Sequence, residues 1–284
     1  MSVVLAMVLC NEDPQLEMEA IQSELSKNWA DLPSATDVAQ EDVTASFQLG
    51  PVSVILGVMP GPIPWSDLEG PCATSMLYPN AADEVKEHKA HIIVTLTGGE
   101  LDPVASSTLL TKVSAAVMAT IPSALGVFWC NAVHLVRKDI FIDFAVKVMP
   151  DGPPVYIWVS FRVGGDSDQS SAGFTTGMEA LGHMEFESKG APEPPSELHQ
   201  RLTTLCEYVI ENGSVIKDGD AIGDSESAQI QVVYSASNFG HENQVMRLNY
   251  VAGEPASLAG PAGGSQLVSE DAAAKQAKPW WKFW

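Results

Sequence analysis

An α+β fold is what this sequence predicts, and three observations carry the prediction. Short β-branched runs such as His91–Thr97 recur along the chain, and amphipathic stretches such as Leu198–Ile210 separate them. Neighbouring β-prone runs are often split by tight-turn residues, as by Gly50-Pro51, which implies antiparallel pairing. With 45% hydrophobic residues in 284, there is enough apolar material for a core. The expected architecture is antiparallel or mixed sheets with helices packed on one face. The order β-α-β-β-α-β over the first hundred residues matches the ferredoxin-like pattern, so two packed ferredoxin-like lobes are the arrangement it allows. The expected division is an N-terminal lobe over 1–100, a C-terminal lobe over 101–253, and a linker with a tail over 254–284.

Taken in order, Val3–Leu9 reads as a buried first strand. Asp13-Pro14 signals a helix start, and Leu16, Met18, Ile21 and Leu25 give that helix an apolar stripe to about Trp29. Strands follow at Ala45–Leu49 and Val52–Val58. The Pro-rich segment Met59–Trp65 can be neither helix nor central strand, because proline removes backbone donors and fixes φ. Ala81–Lys89 is a short polar helix leading into the strand His91–Thr97. Gly98-Gly99 breaks the chain, and Asp102-Pro103 opens a helix carrying Val104, Leu109, Leu110, Val113, Val117 and Met118. Ala124–Trp129 is a strand, Asp139–Val148 a helix, and Val155–Val163 a strand. Pro194-Pro195-Ser196 starts a helix in which Leu198, Leu202, Leu205, Cys206, Val209 and Ile210 recur at spacings of three and four, and Gly213 closes it. Ala228–Ser235 and Val245–Val251 pair around Asn238-Phe239-Gly240.

Charge and cysteine usage bound the function. A formal net charge of −21 opposes binding of nucleic acid, which needs clustered Lys and Arg. The acidity is uneven: residues 1–80 hold eleven acids and a single base, Lys27. Cys10, Cys72, Cys130 and Cys206 are far apart, at no metal-ligand spacing, and sit in apolar surroundings that suit free thiols in a reducing cytoplasm. The apolar N-terminus lacks a basic flank, and no segment approaches the roughly 20 apolar residues of a membrane span. A cytoplasmic protein without stable membrane insertion is expected.

The candidate chemistry is sparse. Glu179, His183 and Glu185 could form a metal or acid–base cluster, although Gly177 and Gly182 favour a turn in which His183 only packs or caps. Asp218, Asp220, Asp224 and Glu226 resemble a loose calcium loop without its closing bidentate Glu, so Asx-capped turns are the expected reading. Asn131 and His134 follow a buried strand, a position where a ligand could bind. No glycine-rich phosphate cradle is present. The expectation is no catalytic residue, no cofactor and no metal.

The segment Gly177-Met178-Glu179-Ala180-Leu181-Gly182-His183, the strand Gly126-Val127-Phe128-Trp129 with Asn131 and His134 after it, and the run Val215–Gly223 resemble the bacterial domain-of-unknown-function family 4261. The resemblance spans most of residues 3–251 and is strongest over 173–223. It implies a bacterial cytoplasmic α+β protein with no established catalytic residues to carry over. By analogy with small α+β families found beside toxin and secretion systems, it implies a non-catalytic module that binds another protein, as an immunity or accessory protein. The alternative is a small-ligand enzyme, a hydrolase, with a pocket between the lobes near His134 and His183.

The C-terminus supplies the expected partner-binding residues. From Ala252 the composition turns to Gly, Ala, Ser and Pro, a linker signature, and the chain ends Lys278-Pro279-Trp280-Trp281-Lys282-Phe283-Trp284. Trp280, Trp281, Phe283 and Trp284 offer large contact area with few torsions to freeze, so they are expected to dock on protein, in cis or in trans.

Overall fold

In the computed structural model, which describes residues 5–223 and 228–252, the first strand sits inside a seven-stranded sheet. In chain order the first half comprises β1 (Leu5–Cys10), α1 (Met18–Asn28), β2 (Thr36–Gln40), β3 (Thr44–Leu49), β4 (Val52–Met59), α2 (Trp65–Thr74), α3 (Ala81–Val85), β5 (Ala90–Gly98), α4 (Pro103–Thr120), β6 (Ala124–Trp129) and β7 (His134–Arg137). The strand order is β2-β3-β4-β5-β1-β6-β7, and every neighbouring pair is antiparallel. A ferredoxin-like order would place β4 beside β1, whereas here β5 lies between them, so that order is not the one formed; a split βαβ unit does occur as β5-α4-β6, whose two parallel strands flank β1. The α+β class stands; the sheet reaches past residue 100 to take in β6 and β7.

Pleating assigns the two faces of this sheet. Ala6, Val8 and Cys10 of β1 join the main core with Val127, Trp129 and Val136, beneath α1, α4 and α5 (Lys138–Asp143). The alternate residues Met7 and Leu9 face Leu68, Cys72, Val85 and Leu135, under α2 and α3. Helices therefore cover both faces at this end of the sheet, rather than one face throughout.

The second half continues through a π-helical turn (Phe144–Val148), α6 (Val155–Trp158), β8 (Ser160–Ser167), β9 (Ser170–Thr176), a 3-10 turn (Glu179–Leu181), β10 (Phe186–Ala191), α7 (Pro195–Asn212), β11 (Ala221–Ile222), β12 (Ala228–Ala236) and β13 (Gln244–Ala252). Its sheet runs β11-β12-β13-β10-β9-β8 and is antiparallel except for the parallel pair β10–β13. The strand expected over Val155–Val163 forms only from Ser160. Pro153-Pro154 precede it, and Val155, Ile157 and Trp158 are all buried in a helical turn whose Trp158 indole N–H donates to the Thr111 hydroxyl at 2.8 Å. An apolar run buried on every side does not distinguish a strand from a helical turn.

α4 is the shared strut of the molecule. Asp102 caps it by accepting the Ala105 N–H at 2.9 Å, with Pro103 in the first turn. From Leu109 to Met118 every residue is buried, so the helix is enclosed all round and not merely along one stripe. α7 behaves as its pattern predicts: Leu198, Leu202, Cys206 and Val209 are fully buried, while Leu205 is only half-buried. One continuous core takes residues from both sheets.

Candidate functional site

Two buried carboxylates organise one end of the second sheet. Glu185 Oε1 accepts the N–H groups of Gly177 at 2.7 Å and Glu179 at 3.2 Å, and its Oε2 accepts the Thr175 hydroxyl at 2.7 Å. Thr175 Oγ1 in turn accepts the Phe186 N–H at 2.8 Å. Burial pushes the Glu185 carboxyl above its usual range, against the pull of those donors. Glu187 accepts the Asn238 N–H at 2.8 Å and the Ser237 hydroxyl, whose oxygen collects the N–H groups of Phe239, Gly240 and His241. Phe174 stacks on Phe239 with centroids 4.9 Å apart. The loops 177–183 and 237–243 are thus clamped to the sheet from beneath.

Gly177 is required there. Its φ is +123°, and a Cβ would fall 2.2 Å from the Trp158 carbonyl oxygen, so only glycine fits where β9 meets α6.

Between these loops lies a polar cleft of about 470 Å³ containing Glu179, His183, Ser214, Tyr234 and Asn243. His183 Nδ1 lies 3.2 Å from Ser214 Oγ, and Asn243 donates to Glu179 Oε1 at 3.1 Å. Burial lowers the His183 pKa, so the imidazole is neutral near pH 7. A neutral histidine beside a serine is the minimum of a nucleophile–base pair, but the rest of a hydrolase site is not assembled. The nearby N–H groups of Gly182 and His183 already donate to the Glu179 and Met178 carbonyls, each at 3.0 Å, and that of Glu179 to Glu185. They are spent on the turn and cannot receive an oxyanion. Glu179, His183 and Glu185 do not converge: Glu185 points into the core, and among the described residues no three His, Cys, Asp or Glu side chains are placed to hold a metal.

The other sequence candidates also serve the fold. His134 is buried, and its Nε2 donates to the Ile157 carbonyl at 2.7 Å; desolvation pushes its pKa down to about 4. It borders a closed space with Tyr156 and Phe161, while His183 lines the separate cleft. Asp220 caps its turn by accepting the Lys217 N–H at 2.8 Å, whereas Asp218 accepts the N–H of Tyr234 on β12, also at 2.8 Å, and so ties the turn to the sheet; Asp224 and Glu226 lie outside the described residues. Trp280, Trp281, Phe283 and Trp284 also lie outside them.

A site that sequence reasoning missed opens on the first sheet. Leu32 and Pro33 after α1, Leu49, Pro51 and Val52 at the β3–β4 turn, and Leu101, Val104, Thr108 and Leu109 at the start of α4 enclose a groove of about 520 Å³. Gly98 and Gly99, at φ +72° and +63°, turn the chain out of β5 so that Leu101 lands on the rim, 38% exposed. At the far end the largely buried Lys112 donates to Asp31 at 2.8 Å, and that contact holds the exposed Asp31 carboxyl below its usual range. Chemically the groove can take an apolar or aromatic group and little else. Its walls come from three segments far apart in sequence; the one local signal was a leucine exposed just before a helix cap.

Residues 174–249 match the model of a domain of unknown function, DUF4261. The resemblance read from the Gly177–His183 turn and the Val215–Gly223 run is therefore shown for this stretch. The DUF4261 segment begins within β9 and ends within β13, so it holds both clamping carboxylates and the polar cleft. The strand Gly126–Trp129 with Asn131 and His134 lies outside it, as does the whole apolar groove. No curated protein and no solved structure matches the chain. Among the described residues no helix is long and apolar enough to cross a membrane.

Proposed function

We propose that this chain is a non-catalytic module that binds protein, and that the groove between α1, the β3–β4 turn and α4 is its receptor surface. The observation that carries the reading is the groove itself: about 520 Å³, walled by Leu32, Leu49, Leu101, Val104 and Leu109, and open to solvent along Leu101. Its size falls within the roughly 300–1,000 Å³ of ligand sites, but it lacks the convergent polar groups that orient a small substrate. The finer form of the proposal is an immunity or accessory role beside a bacterial toxin or secretion system, in the cytoplasm. It rests on the analogy among small α+β families, and the unpaired cysteines, Cys10, Cys72, Cys130 and Cys206, fit a reducing compartment.

The hydrolase reading has one observation in its favour, the His183–Ser214 contact, and is weakened by the committed amides around it. A photoreactive amino acid placed at position 101 of the full chain tests the proposal. It is expected to give a covalent adduct with a protein segment on irradiation, and Ala105→Arg should abolish that adduct. Absence of any protein adduct, together with an esterase activity lost in His183→Ala, would replace this reading with the enzymatic one.

A further inference from the structure

We propose that the occupant of this groove in the resting protein is the chain's own C-terminal segment, Lys278–Trp284, docked in cis. The inference rests on the groove being a receptor for protein, and it names the segment received. Three independent features agree on it.

The first is chemical fit. Four of the last seven residues are aromatic, two are lysine and none is acidic. Each large aromatic buries about 150–250 Å² when enclosed, so exposure of four together is costly, and the groove offers an apolar lining of matching character. The second is charge. Residues 1–80 hold eleven acids and one base, Lys27, whose ammonium lies 3.1 Å from Glu24. Asp102 lines the groove, and the one lysine there, Lys112, is already matched by Asp31, so Lys278 and Lys282 meet a rim with one carboxylate in excess.

The third is reach. Twenty-five residues, 253–277, separate the last described residue, Ala252, from Lys278. Such a span covers up to about 90 Å when extended, at roughly 3.3–3.6 Å per residue, against a radius of gyration of about 18 Å for a domain of this size. No part of the surface is out of range. A tether of this length also raises the local concentration of the segment to roughly the millimolar range, so modest affinity suffices for occupancy.

Methyl NMR of the full chain reads the occupant directly, because indole rings shift nearby methyl groups upfield. The leucine methyls of Leu49, Leu101 and Leu109 are expected upfield in the native chain. They should move when Trp280, Trp281, Phe283 and Trp284 are all replaced by Ser, and return when a synthetic peptide of residues 278–284 is added to that variant. The methyls of Leu198 and Leu202, in the core of the second sheet, should stay fixed. Either Leu101→Asp or Ala105→Arg should remove the effect of the peptide, with thermal unfolding confirming that the variant is folded. Groove methyls indifferent to the four substitutions and to the peptide would overturn the proposal. So would a dimer in sedimentation that the four substitutions dissociate, which would assign the segment to a second copy. Binding of the native chain to anionic vesicles through these aromatics, with unmoved groove methyls, would assign it to a lipid surface. If position 101 instead crosslinks to a different protein and never to residues 278–284, the cis occupant fails while the receptor role of the groove stands.

Discussion

The polar cleft of the DUF4261 segment and the apolar groove of the first sheet have nearly equal volumes, about 470 and 520 Å³, yet they differ in what their walls are already doing. In the cleft, the loop amides, Glu179, Asn243 and Ser214 are engaged with one another, and the carboxylates beneath hold the loops in place. In the groove, the walls are mainly aliphatic side chains with no internal partner to satisfy, Asp102 is engaged as the helix cap, and the one buried cation is matched by Asp31. Volume does not distinguish them; the availability of unspent contact surface does.

That contrast is sharpest at Gly177. Gly177→Ala places a methyl 2.2 Å from a backbone oxygen at a φ that side chains avoid, so it should cost at least about 4 kcal/mol and prevent folding of the second sheet. Near-native denaturant stability would show that the junction beneath the cleft is not rigid.

Next come the clamps. Glu185→Ala and Glu187→Ala each strand buried donors, and each should destabilise the fold by about 3 kcal/mol. If either substitution leaves the unfolding midpoint in place, while removing a binding activity, the cleft and not the groove becomes the functional surface.

His134, on β7, hydrogen-bonds the Ile157 carbonyl of α6 and gives a pH signature. Its unfolded form takes up a proton below about pH 6.5, whereas the buried ring resists protonation down to about 4. Its contribution is therefore complete above pH 6.5 and is lost as pH falls through that window, by about 3 kcal/mol in all. The Glu185 carboxyl has the opposite sign: raised in the fold, it lowers stability as pH climbs above its unfolded pKa. His134→Gln should flatten the acid limb between pH 6.5 and 4, measured by denaturant unfolding at each pH. An unchanged slope would locate the acid sensitivity elsewhere.

The smallest stability change belongs to the groove. Leu101→Asp, on the exposed rim, should alter unfolding by less than about 0.5 kcal/mol while still abolishing binding there. A large loss of stability would mean that Leu101 is part of the core and the groove merely a gap in packing.

Sequence reasoning reached what is local and periodic. The stripe of α7, the cap at Asp102 and the turn around Asn238-Phe239-Gly240 were readable because each depends on residues a few positions apart. It misread Val155–Trp158, where burial on every side erases the alternation that marks a strand. It did not foresee the strand order of the first sheet, since the pairing of β1 with both β5 and β6 joins segments about 80 and 120 residues apart. Glu185 was legible as a chemical residue but not as a clamp, because its partners become neighbours only when β9 and β10 pair. The groove was hidden for the same reason: Leu32, Leu49 and Leu101 meet only in the folded protein.

The most direct test of the groove as receptor is a binding comparison between two variants of the full chain, both carrying Ser at positions 280, 281, 283 and 284. One adds Ala105→Arg in the groove and the other Gln244→Arg in the cleft, and each is titrated with the synthetic segment Lys278–Trp284 by calorimetry. The groove variant should lose binding by at least about tenfold, roughly 1.4 kcal/mol, while the cleft variant binds as its parent does. Loss of binding in the cleft variant, with the groove variant unaffected, would contradict the account.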